Sequence, residues 1–238
     1  MKKIVLSIGI LALATAATAQ KKGKTTASEA EKVSNPSTLI YSNAMKYGDA
    51  STAIMATHQL IAEQGENSTY KDSLAMLYFN SNQTLSCHLL CKELLTKRNT
   101  DTTLLVLNAA SLKNLGANKE AIAAYESLFA LTKNRYHAYE LAQLQYGIAR
   151  LAESLVSINQ ALNNTAELEG KITFAVDKEK TQQVPLNAAL YNLKGMVAYE
   201  LKDEKSAVEA FDEALKIMPD FEAAKLNKSA IEALKTKK

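Results

Sequence analysis

The chain repeats itself every 34 residues, and a period of that length restricts it to architectures in which one small supersecondary unit stacks on the next. With the first unit set at Ser34, small residues recur at Ala53, Cys87 and Ala121; four residues later come Thr57, Cys91 and Tyr125, and three further on Leu60, Leu94 and Leu128. Spacings of three and four bring side chains together on one helix face. A turn signal precedes each set, as Gly48-Asp49, Asn82-Gln83 and Gly116-Ala117. Each unit therefore reads as helix, tight turn, helix. The scarcity of glycine (8) and proline (3) and the absence of tryptophan fit long helices.

A fourth unit starts near Arg135 after a one-residue slip, with Leu141-Ala142, Leu151, Ser154, Ile158 and Ala161-Leu162 at equivalent offsets. The fifth, from Ala188, carries Tyr191, Gly195, Ala198, Ala207, Phe211, Ala214 and Pro219. Across its full 34 residues this unit resembles a tetratricopeptide repeat. Gly195, Ala75, Ala109 and Ala142 fall where the first helix of a unit meets its second, and Ala53, Ala121, Ser154 and Ala207 answer them, because only small side chains allow axes to approach within about 8 to 10 Å. Tyr125, Ile158 and Phe211 fill the space toward the next unit. The first unit departs from the pattern with Tyr41 at the small position. The resemblance implies an all-α, right-handed superhelical array of helix-turn-helix repeats whose first helices line a concave, peptide-holding face.

The N-terminus reads as a signal peptide over residues 1–19: Met1-Lys2-Lys3, an apolar run from Ile4 to Ala17, and Ala17-Thr18-Ala19 as cleavage site. That run is shorter than the roughly 20 residues that span a bilayer. The expected protein is therefore exported, periplasmic or secreted, without an integral span after cleavage. Residues 20–33, with Lys21, Lys22 and Lys24, read as a disordered tether, and units one to four occupy 34–168. The insertion 169–187 contains alternating Lys171 to Val176, a charged turn and Gln182 to Leu186, which predicts a short β-hairpin or ordered loop with Phe174 and Leu186 on the flanking helices. The fifth repeat follows at 188–221. Residues 222–238 form a capping helix whose apolar stripe is Ala223, Ala224, Leu226, Ala230, Ile231 and Leu234, and whose outer face is expected to be polar.

Without Lys2 and Lys3, the 28 basic residues fall to 26 against 25 acidic ones, a near balance that argues against nucleic acid as partner. Cys87, His88 and Cys91 are the one cluster with metal or redox chemistry. His88 points about 100° from the face that the cysteines share, and no second ligand pair stands nearby. Buried free thiols, a disulfide and a metal site are the three readings. No phosphate-binding glycine loop, nucleophile elbow or zinc-protease motif occurs. No enzymatic activity and no cofactor are expected.

The repeat phase assigns the groove to Met76, Phe79 and Asn80; to Tyr136, Tyr139 and Tyr146; and to Asn192, Met196 and Tyr199. Tyrosine and methionine there suit adaptable protein recognition. The function expected is an exported interaction scaffold that binds a peptide or protein segment. The alternative is a structural subunit of an envelope or secretion-associated assembly, with possible homo-oligomerisation. A metal or redox protein using the Cys87 cluster comes third.

Overall fold

The structure, a computed structural model, describes residues 35–164 and 170–235. The signal peptide and the tether lie outside them. Residues 35–115 form one compact unit, with α1 (Pro36–Tyr47), α2 (Ala50–Gln64), α3 (Tyr70–Asn80), α4 (Thr84–Leu95) and α5 (Thr102–Asn114). The described residues from Gly116 onward form another. It holds α6 (Asn118–Thr132), α7 (Arg135–Gly147), α8 (Leu151–Asn163), β1 (Lys171–Ala175), β2 (Thr181–Pro185), α9 (Leu186–Glu200), α10 (Glu204–Ile217) and α11 (Glu222–Lys235). Odd-numbered helices up to α9 are the first helices of the repeats, and even-numbered ones the second.

The period is visible in the backbone. Gly48, Asn82, Gly116, Ala149 and Lys202 each take a left-handed conformation, with φ of 71, 56, 71, 60 and 66°, and each separates a first helix from its second. The residue after four of these turns donates its N–H back to a carbonyl of the preceding helix: Asp49 to Ala44, Gln83 to Tyr78, Arg150 to Gln145 and Asp203 to Ala198, at 2.8 to 2.9 Å. These bonds satisfy carbonyls that a helix end otherwise orphans. Asp49 and Asp203 then cap the second helix, accepting from the N–H groups of Thr52 and Ser206 at 3.0 Å.

Small residues fill the positions expected of them: Ala53, Ala75, Cys87, Ala109, Ala121, Ala142, Ser154 and Ala207 are all fully buried. At Gly195 the constraint is absolute, since a Cβ there would stand 2.5 to 2.7 Å from the ring of Phe211. Tyr41, the exception, is half-buried and sets its ring edge-on against Tyr70 of α3 at 5.5 Å.

The insertion is a two-stranded antiparallel hairpin with Ile172 opposite Val184. Ile172, Phe174 and Val184 point into one core with Tyr139, Ile158, Leu190 and Phe221. Phe174 reaches past the flanking helices to Phe221, ring edge to face at 4.8 Å, just before α11. Gln182 holds the same junction, donating to the Asp220 carbonyl at 2.7 Å and accepting from Glu222 N–H at 3.2 Å. Arg135, buried at the start of α7, donates through Nε to the Ala161 carbonyl at 2.8 Å and through its guanidinium to Asn187. It thereby ties α8 to the start of α9 across the base of the hairpin.

The helix α11 corrects one expectation. Its stripe divides: Ala224 and Ile231 face inward, whereas Leu226 and Leu234 are 61% and 51% exposed, and Ala230 is exposed too. The exposed side therefore carries an apolar stripe beside Ser229 and Glu232 rather than polar residues alone.

Gly195→Ala opposes two effects. Alanine favours a helix interior by about 1 kcal/mol over glycine, but overpacking a full core costs about 1 to 3. Displacing an aromatic ring wins, so the variant should lose about 1 to 2 kcal/mol in urea unfolding. In a Phe211→Leu background the ring is gone, and the same change should become neutral or stabilising. Equal losses in both backgrounds would refute the contact.

Candidate functional site

In the unit up to Leu115, Met76 is 42% exposed, Asn80 is exposed, and Phe79 is half-buried against the core that holds Cys87 and Leu104. In the unit from Gly116, Tyr136, Tyr146 and Tyr199 are half-buried. The remaining three predicted groove residues are not on the surface: Tyr139, Asn192 and Met196 are 1%, 3% and 7% exposed. Tyr139 lies in the core shared by α7, α9 and the hairpin, its hydroxyl accepting from Gln143 at 2.7 Å. Asn192 accepts from Asn227 of α11 at 3.1 Å, and Met196 packs in a cluster with Ile231 of the same helix. Within this unit α9 overlaps α7 and α11 overlaps α9, so Tyr139, Asn192 and Met196 do not line a groove.

Burial, reinforced by the nearby Glu140 carboxylate, raises the Tyr136 phenol above its ordinary range, and burial followed by Glu200 does the same for Tyr146. Both remain neutral hydrogen-bonding groups at physiological pH.

A different surface offers a groove. Between α6 and α8, floored by α7, runs an open depression of about 910 Å³. Phe129, Ala130, Leu141 and Val156 give it apolar walls, and Gln160, Asn163 and Lys133 edge it with polar groups. At the floor stands Gln145, only 3% exposed. Its Oε1 accepts from Ser157 Oγ at 2.8 Å, and the residue lines the groove. Lys133 stands over the Phe129 ring at 5.8 Å, and Glu153 pairs with Arg150 at 3.0 Å on the rim. Sequence reasoning passed over this groove because its residues lie on the side facing away from the expected one. The readable signal was polar Gln145 and Ser157 amid core positions of α7 and α8.

Cys87 and Cys91 are buried free thiols with their sulfurs 3.9 Å apart. The hydrogen bond between them, and then burial, hold the Cys91 thiol above its usual value. His88 turns away and pairs with Asn108 at 2.8 Å. Among the described residues no group of three or more histidines, cysteines and carboxylates is placed to hold a metal.

The tetratricopeptide repeat family model matches residues 188–221. Among solved structures, one of MamA is 14% identical, with a TM-score of 0.62 over 76% of this chain and 88% of that one. MamA from residue 41 to its end, of Desulfovibrio magneticus RS-1, is 13% identical, with a TM-score of 0.60 over 78% and 94%. YrrB, described as a TPR protein with an unusual peptide-binding site, is 13% identical, with a TM-score of 0.64 over 82% and 91%. No curated protein sequence matches. The likeness to these structures establishes the fold, a helical array of tetratricopeptide type.

Tyr139→Ala should cost about 3 to 5 kcal/mol by lost burial and the cavity left behind. Tyr139→Phe removes only the hydroxyl and should cost about 1. Thermal melts followed by circular dichroism decide this, and an unchanged midpoint for the alanine variant would return Tyr139 to the surface.

Proposed function

We propose that this tetratricopeptide repeat protein is an interaction module that takes an extended segment of another protein in the groove between α6 and α8. The observation that carries the reading is the open, apolar-walled groove with the side-chain amides of Gln145, Gln160 and Asn163 along it. A backbone carbonyl of an extended peptide accepts from one of these amides, and an apolar side chain beside it rests against Phe129, Leu141 and Val156. The amides of Gln160 and Asn163 stand ready for neighbouring peptide groups. A volume of this size accommodates a few residues of extended chain. That YrrB, a similar fold, is described as having an unusual peptide-binding site supports a peptide as ligand.

The same reading makes the protein an exported one, on the strength of Met1 to Ala19. No helix among the described residues is long and apolar enough to cross a membrane. Nucleic acid is an unsuitable partner for so balanced a charge, and the scaffold is read as non-catalytic. A second surface is the row of first helices, where Tyr136, Tyr146 and Tyr199 remain half-exposed.

Peptides selected against the purified chain by phage display discriminate the two surfaces by fluorescence anisotropy. Gln145→Met and Val156→Asp should each weaken binding by about 1 to 3 kcal/mol, roughly 5- to 150-fold, with melting temperature held. Tyr146→Ala with Tyr199→Ala should leave affinity unchanged. The reverse pattern would transfer the site to the first helices, and failure to enrich any peptide would overturn the reading. Export is checked by the intact mass of protein recovered from its native cell envelope or medium, which should begin at Gln20.

A further inference from the structure

From Gly116 onward, each first helix is covered by the first helix of the following unit. Tyr139 of α7 is buried in the core it shares with α9, and Asn192 and Met196 of α9 are buried beside α11. Thirty-four residues beyond Asn192 and Met196 stand Leu226 and Ala230 of α11, where the row ends among the described residues. Leu226 is 61% exposed and Leu234 51%, with exposed Ala230 and Ala233 between them. The counterparts of Tyr191, Gly195 and Ala198, the positions that meet a second helix, are Lys225, Ser229 and Glu232. These polar residues need no such helix. What α11 leaves open is the seat for another first helix.

The helix α1 has the matching face. By repeat position, its Pro36, Leu39 and Asn43 correspond to Leu190, Leu193 and Val197 of α9, which are 0%, 4% and 0% exposed because earlier helices cover them. On α1 no described residue does so: Leu39, Ile40 and Tyr47 are 51%, 44% and 76% exposed along one stripe. Lys46 is the one charged residue of α1, so burying this face removes little charge from water.

We propose that α1 of a second copy lies along the open stripe of α11, so that the row of first helices continues from one chain into the next. The large side chains Leu39, Ile40 and Tyr47 then seat over the small Ala230 and Ala233, flanked by Leu226 and Leu234, as ridges fit into grooves. The two faces differ, so the contact is head-to-tail, and each copy keeps a second, different face for a further copy. One helix pair buries less than a stable interface requires, and the association is accordingly weak and concentration-dependent. This contact is independent of the peptide groove.

Sedimentation equilibrium of the purified chain, from roughly 5 to 500 µM, reads the association directly. The weight-average mass should climb above that of the monomer as concentration rises. Leu226→Asp with Leu234→Asp should abolish the rise, as should Leu39→Asp with Ile40→Asp. All four positions are exposed, so melting temperatures should match the parent chain and confirm folding. The decisive sample is an equimolar mixture of the two double variants: each retains the end the other has lost, and together they should form a 1:1 dimer and nothing larger. A monomeric parent chain at every concentration would overturn the proposal. So would self-association of the α1 variant alone, which would mean that α11 pairs with something other than α1, or a mixture that stays monomeric.

Discussion

Everything in this fold depends on how closely the two helices of a repeat can approach. The contact positions are held by residues with almost no side chain, and they are buried completely, as at Ala53, Ala75, Ala142 and Ala207. Gly195 shows the limit, where the ring of Phe211 occupies the volume a methyl group would need. Once the helices are this near, their outward residues are set at fixed heights for the next unit. Burial of Ile158, Phe211 and their equivalents, each about 1.5 to 3 kcal/mol, accumulates from one repeat to the next. Side-chain identity elsewhere is comparatively free, which is how such similar folds coexist with identities of 13 to 14%.

An array of this kind is vulnerable wherever its period is interrupted, and the chain repairs its interruption with specific contacts. The hairpin would be marginal alone. It is stabilised because one face, Ile172, Phe174 and Val184, completes the core of α7, α8 and α9, while Gln182 organises the backbone entering α11. Arg135 spans the discontinuity beneath it, a buried cation held by a carbonyl and a side-chain amide. The hairpin is thus built into the core of its unit, and the surfaces left for partners are the α6–α8 groove and the helix faces that no neighbour covers.

Those two kinds of surface follow different chemistry. The groove combines an apolar wall with side-chain amides, which favours a backbone with carbonyls and N–H groups to offer. The stripes of α1 and α11 are apolar and nearly uncharged, and they favour another helix. One fold therefore carries a surface for an extended chain and a surface for its own repetition.

The sequence by itself determined the helices, their pairing and the small-residue contacts, because these follow from local spacing: offsets of three, four and 34 residues fix which side chains share a face. It located the insertion but left hairpin and ordered loop both open, and the structure decided for the hairpin. The sequence also determined that Cys87 falls at a core position, since Ala53 and Ala121 occupy the same place. The tertiary structure decided which correctly oriented residues reach solvent. Helical phase placed Tyr139, Asn192 and Met196 on the inner side of their helices, and packing then laid α9 and α11 over them. The same limit hid the exposed apolar stripe of α11, where one sequence stripe serves two directions, and the groove at Gln145, which exists only through the spacing of α6 and α8 above α7. Periodicity gives the direction in which a side chain points; accessibility depends on what stands beyond it, and distant parts of the chain supply that.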